Sequence, residues 1–416
     1  MSEQFPIPTP KSRGSAVRLD RSHADLALAA VGALTGFAAG SALGIPWELQ
    51  RAPAVEEKLS MSGRDGFLAG EWGSDVQIAL CIAEVASAGR LATASAIEAV
   101  AQRLIAWYES NPQHVPRLLQ GVFDVALNPR LASPLVVEDL VAHGCGQLAA
   151  SDVRVAIALR RAAEYRGNSE RITRRMTESA SLAIAVPVAL ATLTAPEECT
   201  RTVTLVTTLT TTDPLVISLN LVYAHTLRRV VEGYARGIHW GSALRISDLV
   251  DLVIEHGQSV IANLEIDGLN TPIVTDTGFN QEVIDALIVL RDESNRGVGQ
   301  GWSRGLGAGL DGVSAMRRVI AACETAVWEF ERNSSLNPVT VGIESAIRSG
   351  GDTDTVAALT GALLGGACGL AAIPEFWLTD LWGWPGLRAD GLRDLATGCV
   401  YAGLAPEKHL PDTTDI

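Results

Sequence analysis

The chain has few basic residues and few cysteines. Of its 416 residues, 33 are Lys or Arg and 47 are Asp or Glu, which gives a formal net charge of −14. Without a basic stripe to displace condensed counterions, neither nucleic acid nor an anionic membrane surface is an expected partner. The six cysteines are scattered and contain no C-x-x-C pair. We therefore expect no disulfide framework and no thiolate zinc site, but buried thiols in a reducing cytoplasm.

The sequence also shows no interdomain linker and no internal repeat. Its apolar fraction of 47% is high enough to build a core, which excludes a disordered chain. The first residues carry several prolines and charges of both signs, a pattern typical of a loose tail and not of a signal peptide. We expect one large domain over residues 23–405, between tails at residues 1–22 and 406–416.

Patterns typical of β-strands are scarce. Nearly every long segment repeats its apolar residues at helical spacing, as residues 76–87 and 313–331 do. Residues 202–212 are rich in Thr and Val, which fits either a strand or a β-branched helix. Gly167 predicts a loop. The expected fold class is all-α.

Two long runs have no charged residue, at residues 26–47 and 355–374, and each carries a glycine at every fourth position. The first run is long enough to cross a bilayer, and membrane helix pairs use such small-residue stripes. Alternatively, both runs are buried helices of a water-soluble bundle that approach closely, against each other. We favour the second interpretation, and no membrane, because the runs are rich in Ala and no Lys/Arg asymmetry flanks them.

The segment GGDTDT, which opens the second run, carries the strongest chemical signal. Asp352, Asp354 and the Thr355 hydroxyl offer the oxygen ligands that Mg²⁺ or Mn²⁺ requires. Gly350 and Gly351 permit a sharp turn and a close approach of the backbone to a ligand. The alternative is an ordinary helix N-cap with acidic residues in its first turn.

Two further acidic positions are candidates. Asp75 begins another helical pattern and is a possible ligand, with Ser74 a weaker one; alternatively, Ser74 and Gln77 form an S-x-x-Q capping box. Glu48 follows Pro46, which is expected to end the first run and to place Glu48 at a loop mouth. There its carboxylate can contact substrate or a metal-bound water, or have no role.

A glycine-rich segment gives a weaker signal. Gly307, Gly309 and Gly312 are spaced G-x-G-x-x-G but follow a glycine-rich loop and not a strand, which is the wrong context for a dinucleotide fingerprint. The alternative is a cradle of backbone amides for a diphosphate. The seven histidines show no metal-ligand spacing, so we expect each of them to be hydrogen-bonded in the core or to lie at the surface.

The three acidic segments, in this order, resemble the ADP-ribosylglycohydrolase family. This family includes dinitrogenase-reductase-activating glycohydrolases and the ADP-ribosylarginine and ADP-ribosylserine hydrolases. Residues 32–48 resemble the family's G-x-x-x-G-D-A-x-G-x-P-x-E, residues 72–80 resemble W-T-D-D-T-x-M-A-L, and residues 346–374 match G-G-D-x-D-T-x-A-A-x-x-G-A-x-x-G and its helix. Trp107 and Tyr108 agree more weakly.

The resemblance implies an all-α orthogonal multi-helix bundle with a two-metal cleft. It implies hydrolysis at the anomeric carbon of an ADP-ribosyl group, carried by a protein or a small compound, with Mg²⁺ or Mn²⁺. The residues that match family positions, or that replace them, have the following expected roles: catalysis by Glu48, Asp75 and Asp352; metal ligation by Ser74, Asp75, Asp352, Asp354 and Thr355; substrate binding by Gly350, Gly351, Gly307 and Gly309.

The chain departs from the family pattern mainly in the early half of the site. The family's Thr-Asp-Asp-Thr is replaced by Gly-Ser-Asp-Val around Ser74, and the Asp of the opening motif is Ser41. Ser179 stands for an Asn, Ile184 for an Arg and Thr211 for a His. Fewer carboxylates compensate the repulsion between two cations less well. One or two ions are therefore expected, and one metal, or a metal bound only together with substrate, is favoured over a stable pair. The same losses give the alternative function, a catalytically silent member that binds ADP-ribose or a protein partner.

Overall fold

The computed structural model describes residues 21–171, 179–262, 280–296 and 309–405. These residues form α-helices and one antiparallel pair of two-residue strands, β1 (Trp382–Gly383) and β2 (Leu387–Arg388). The helices are α1 (Arg21–Gly44), α2 (Ser74–Ala88), α3 (Ala94–Glu109), α4 (Arg117–Leu127), α5 (Val137–Ala142), α6 (Val155–Arg171), α7 (Ala185–Ala191), α8 (Pro196–Thr207), α9 (Pro214–Ala235), α10 (Trp240–Ala243), α11 (Ser247–Ala262), α12 (Gln281–Arg296), α13 (Gly312–Arg332), α14 (Pro338–Arg348), α15 (Thr353–Cys368), α16 (Glu375–Asp380) and α17 (Ala389–Leu404).

The all-α prediction is confirmed. The Thr- and Val-rich segment at residues 202–212 is not a strand, because its first half completes α8. The loop predicted at Gly167 is wrong, since α6 continues through this position. An isolated glycine costs a helix only about 1 kcal/mol relative to alanine, and the Ala- and Arg-rich sequence before it favours the helix.

The helices of the two glycine-bearing runs, α1 and α15, pack backbone to backbone, as the second interpretation predicts. A Cβ atom on Gly36 would collide with the carbonyl oxygen of Gly361, and a Cβ atom on Gly361 would collide with that of Gly36. Gly32 and Gly365 make the same reciprocal contact. Only glycine lets two helix backbones approach this closely.

Within the described residues, one helical segment, Ser22–Trp47, is long and apolar enough to span a membrane. Of its most apolar 18-residue window, 94% is buried inside the fold. Its apolar character is therefore accounted for by its position in the core, where α15 covers it.

The close pairing of α1 and α15 also brings two acidic loops together. A Cβ atom on Gly44, the last residue of α1, would collide with the Cα atom of Asp354. The Thr353 hydroxyl donates a hydrogen bond to the Gly44 carbonyl at 2.8 Å, and the Leu49 amide donates one to the Gly351 carbonyl at 2.8 Å. The loop after α1 and the turn before α15 are thus fixed to each other.

The helix pairing predicts a strong effect of a single methyl group. Because Gly36 faces backbone and not a flexible side chain, we expect Gly36→Ala to lower the free energy of unfolding by about 1–3 kcal/mol or more. Gly89→Ala is the control, since a Cβ atom there meets nothing within 4 Å and the backbone is extended. Urea unfolding followed by circular dichroism measures both, and equal stabilities would contradict the pairing.

Candidate active site

The turn before α15 does not form an ordinary N-cap. Asp352 occupies the N-cap position of α15, but its side chain makes no capping hydrogen bond. Its Oδ2 atom instead accepts a hydrogen bond from the Ser179 hydroxyl. Gly350 and Gly351 have φ angles of +72° and +75°, a left-handed conformation that favours glycine. The local sequence therefore directs the Asp352 carboxylate away from its own helix.

Three carboxylates converge at this turn. Glu48, Asp352 and Asp354 each place one oxygen within 4.8 Å of the other two. The Oδ1 atom of Asp354 is buried and has no hydrogen-bond partner. Burial, followed by the charges of Asp352 and Glu48, raises the pKa of Asp354 well above its usual range. Burial and Asp352 raise the pKa of Glu48 to about 7. We name these three residues the carboxylate cluster.

The donor set of the carboxylate cluster fits a hard divalent cation. All three groups are oxygen donors, which Mg²⁺ and Mn²⁺ prefer. A cation would give the buried Asp354 oxygen a partner and would neutralise the repulsion that raises the carboxyl pKa values. Thr355, the third predicted metal ligand of this half, is buried in the first turn of α15, whereas Glu48, predicted as a catalytic residue, joins the two aspartates in the cluster.

The early half of the predicted site is arranged differently. Asp75 is buried near the start of α2, and its charge contributes to the raised pKa of Asp354, but it lies outside the carboxylate cluster. The Ser74 hydroxyl is hydrogen-bonded to Nδ1 of His114 at 3.1 Å. Gln77 accepts a hydrogen bond from the Trp107 indole at 2.8 Å. The capping box is wrong, because α2 has no side-chain cap and both of its expected members have other partners.

His114 is a site residue that sequence reasoning missed. It is an exposed side chain in the loop before α4. Desolvation lowers the pKa of its imidazole and the charge of Asp352 opposes this shift, which puts the ring within electrostatic reach of the carboxylate cluster. The nearest sequence signal is the weak agreement at Trp107 and Tyr108. Ser74 and His114 are 40 positions apart, so no short spacing indicates their contact.

One further predicted position, Gly309, lies beside the carboxylate cluster. Gly309 has a φ angle of +81°, and a Cβ atom there would lie 3.3 Å from the Cβ atom of Asp352. Gly307 lies outside the described residues. Nη1 of Arg318 donates hydrogen bonds to the carbonyls of Ser349 and Gly350, at 3.0 and 2.5 Å, and so holds the turn from its outer side.

The positions that depart from the family pattern carry neutral or apolar side chains. The Ser41 hydroxyl accepts a hydrogen bond from the Gly73 amide at 3.0 Å and so fixes the start of α2. Ile184 and Thr211 line a cavity of about 30 Å³ together with Ile78 and Leu119. This volume is close to that of a single water molecule, so little open space remains beside Ile184 and Thr211.

The clustering of carboxylates predicts how stability depends on pH. In the metal-free protein the folded pKa of Glu48 is raised from 4.5 to about 7, so the folded state holds the proton more tightly than the unfolded state. The free energy of unfolding should therefore fall as the pH rises from 4.5 to about 7. Because the pKa of Asp354 is also raised in the folded state, this residue adds to the same fall in the free energy of unfolding.

Thermal unfolding over this pH range in EDTA, and separately in Mn²⁺ without EDTA, measures this dependence. Asp354→Asn should reduce the pH-dependent loss and should remove most of the stabilisation by Mn²⁺, whereas Glu375→Gln, at an exposed position, should change neither. If the stability of the metal-free wild type changed with pH no more than that of Asp354→Asn, the electrostatic account would be contradicted.

Comparisons with known proteins bear on the family and the fold of the chain. No curated protein matches the chain. A solved structure described as an ADP-ribosylglycohydrolase-related protein complex is similar, with a TM-score of 0.59, 19% sequence identity, and coverage of 91% of this chain and 99% of that chain. At this identity the likeness shows the all-α fold alone. The family model described as ADP-ribosylglycohydrolase matches residues 22–406. With nearly the whole chain matched, the protein belongs to the ADP-ribosylglycohydrolase family.

Proposed function

We propose that the protein is a metal-assisted hydrolase that cleaves the glycosidic bond at the anomeric carbon of an ADP-ribosyl or related ribosyl group. Family membership supplies the reaction class. The observation that carries the proposal is the carboxylate cluster, in which Asp354 keeps a buried oxygen without a hydrogen-bond partner. Its substrates would be an ADP-ribosylated protein or a small ADP-ribosyl compound in the cytoplasm.

We assign the carboxylate cluster one Mg²⁺ or Mn²⁺, held by Glu48, Asp352 and Asp354. When bound, such a cation would act as a Lewis acid, polarising the ribose hydroxyls and lowering the pKa of a bound water. A single cation is favoured because the Ser74 hydroxyl is engaged by His114 and Asp75 lies outside the cluster. The family's second adjacent Asp is also missing from this chain.

The three carboxylates differ in what they can contact. Asp352 is buried and its orientation is fixed by the Ser179 hydroxyl, so it is suited to hold a cation or a ribose hydroxyl in place. Glu48 is only half-buried. It directly follows a short 3-10 helix, Ile45–Trp47, which comes after α1, and solvent and substrate can reach it there. We therefore assign Glu48 the role of proton acceptor from the attacking water.

A second candidate function is binding without turnover. The small cavity lined by Ile184 and Thr211 favours it, because these two residues stand where the family pattern has an Arg and a His. Ile184 has no polar side-chain atom, so a polar substrate group beside it loses one hydrogen-bond partner. In this alternative the carboxylate cluster retains a cation, and ADP-ribose or a protein partner binds without being cleaved.

Turnover and binding assays separate the two functions. We expect the wild type to release ADP-ribose from an arginine-linked, serine-linked or small-molecule conjugate in Mn²⁺ or Mg²⁺, and Asp354→Asn to reduce the rate at least about 100-fold. Glu375→Gln, which is exposed, is the control. No turnover on any of the three conjugates, with ADP-ribose binding detected by calorimetry, would support the silent member and reject the hydrolase.

The single-cation assignment predicts a change of stoichiometry when the family's early motif is restored. Calorimetric titration with Mn²⁺ should give one ion per wild-type chain and two per chain in the double variant Ser74→Asp, Val76→Thr. The added carboxylate and hydroxyl restore two of the oxygen ligands that a second cation needs. Ser74→Ala should retain one ion. Two ions in the wild type would contradict the assignment.

A further inference from the structure

A second cavity lies apart from the carboxylate cluster. It measures about 440 Å³ and is lined by residues of α9, α12, α13 and α15 and of the segment around α10. Its floor includes the buried side chains of Tyr223, Ile320 and Leu363. Leu363 lies ten residues after Thr353 along α15, a separation of about 15 Å at the helical rise of 1.5 Å per residue. The volume is in the range of small-molecule sites.

Glu324 gives this cavity its chemical character. The residue lines the cavity on α13, and its Oε2 atom is buried without a hydrogen-bond partner. Burial raises the pKa of its carboxyl to about 7, with no contribution from a neighbouring charge. A carboxylate that is half-buried and has one oxygen without a partner is stabilised when a donor or a cation comes to it.

The other residues that line the cavity determine which kind of ligand fits it. The floor is apolar, and Trp328, 42% exposed, stands at the side of the cavity with the Arg332 guanidinium over its ring. Of the charged side chains that line the cavity, Glu324 and Glu331 are acidic and Arg245 is basic. An apolar or aromatic body fits the floor, and a positive charge complements the Glu324 carboxylate.

We propose that this cavity binds a small organic cation, an amine or amidine with an apolar or aromatic body, through the Glu324 carboxylate. The cationic group pairs with the Glu324 carboxylate where this side chain lines the cavity, and the body packs on the floor of the cavity. The site goes beyond the hydrolase function, because it shares no residue with the carboxylate cluster.

Calorimetry on the full chain tests the site with three probes: phenethylamine, benzamidine and n-hexylamine. We expect at least one of them to bind saturably at one per chain, and 2-phenylethanol and phenylacetate to bind at least about tenfold more weakly than phenethylamine. Glu324→Gln should weaken binding of the amine at least about tenfold without lowering the melting temperature. Ser242→Trp, at an exposed position of the lining, should obstruct binding while leaving Glu324 in place.

The same titration on Asp354→Asn is the control for the carboxylate cluster and should give the wild-type affinity. Absence of saturable binding by all three cationic probes up to about 10 mM would overturn the proposal. Equal binding of 2-phenylethanol, or unchanged affinity in Glu324→Gln, would overturn it as well. None of these results depends on whether the protein hydrolyses ADP-ribose, so the two proposals can fail separately.

Discussion

The contact of the α1 backbone with the α15 backbone is the constraint on which the site depends. Gly36 and Gly361 face each other without side chains between them, and the same stripe ends where Gly44 meets Asp354. This places the Glu48 loop beside the turn before α15, so that carboxylates more than 300 positions apart in sequence converge. The glycines thus set the separation of the α1 and α15 backbones, and this separation brings Glu48 close to Asp352 and Asp354.

The convergence has an electrostatic cost that the fold itself does not relieve. In a chain of net charge −14, three carboxylates share a largely buried site, and the pKa values of Glu48 and Asp354 are raised. A bound cation would relieve this repulsion and, under the proposed function, would also give an acidic protein a means of binding a diphosphate. The early half of the site carries less carboxylate repulsion, because Ser74 stands where the family pattern has a further carboxylate. Its hydroxyl is hydrogen-bonded to His114.

Features encoded over short spacings could be predicted from the sequence. The glycine stripes predicted the helix pair, and GGDTDT predicted the turn that carries two of the three clustered carboxylates. Contacts between distant segments could not be predicted, because Ser74 with His114 and Gln77 with Trp107 have no common local pattern. Glu324 appears in sequence as one more acidic residue on a helix; only the packing of several helices shows that its carboxylate faces a cavity.

The central claim is that the carboxylate cluster is the cation site of this protein and that it holds one ion. Anomalous scattering from crystals grown with Mn²⁺ tests it most directly. The account predicts one strong peak bounded by Glu48, Asp352 and Asp354. A pair of peaks that extends to Asp75 and Ser74, or no peak between these carboxylates at saturating Mn²⁺, would contradict it.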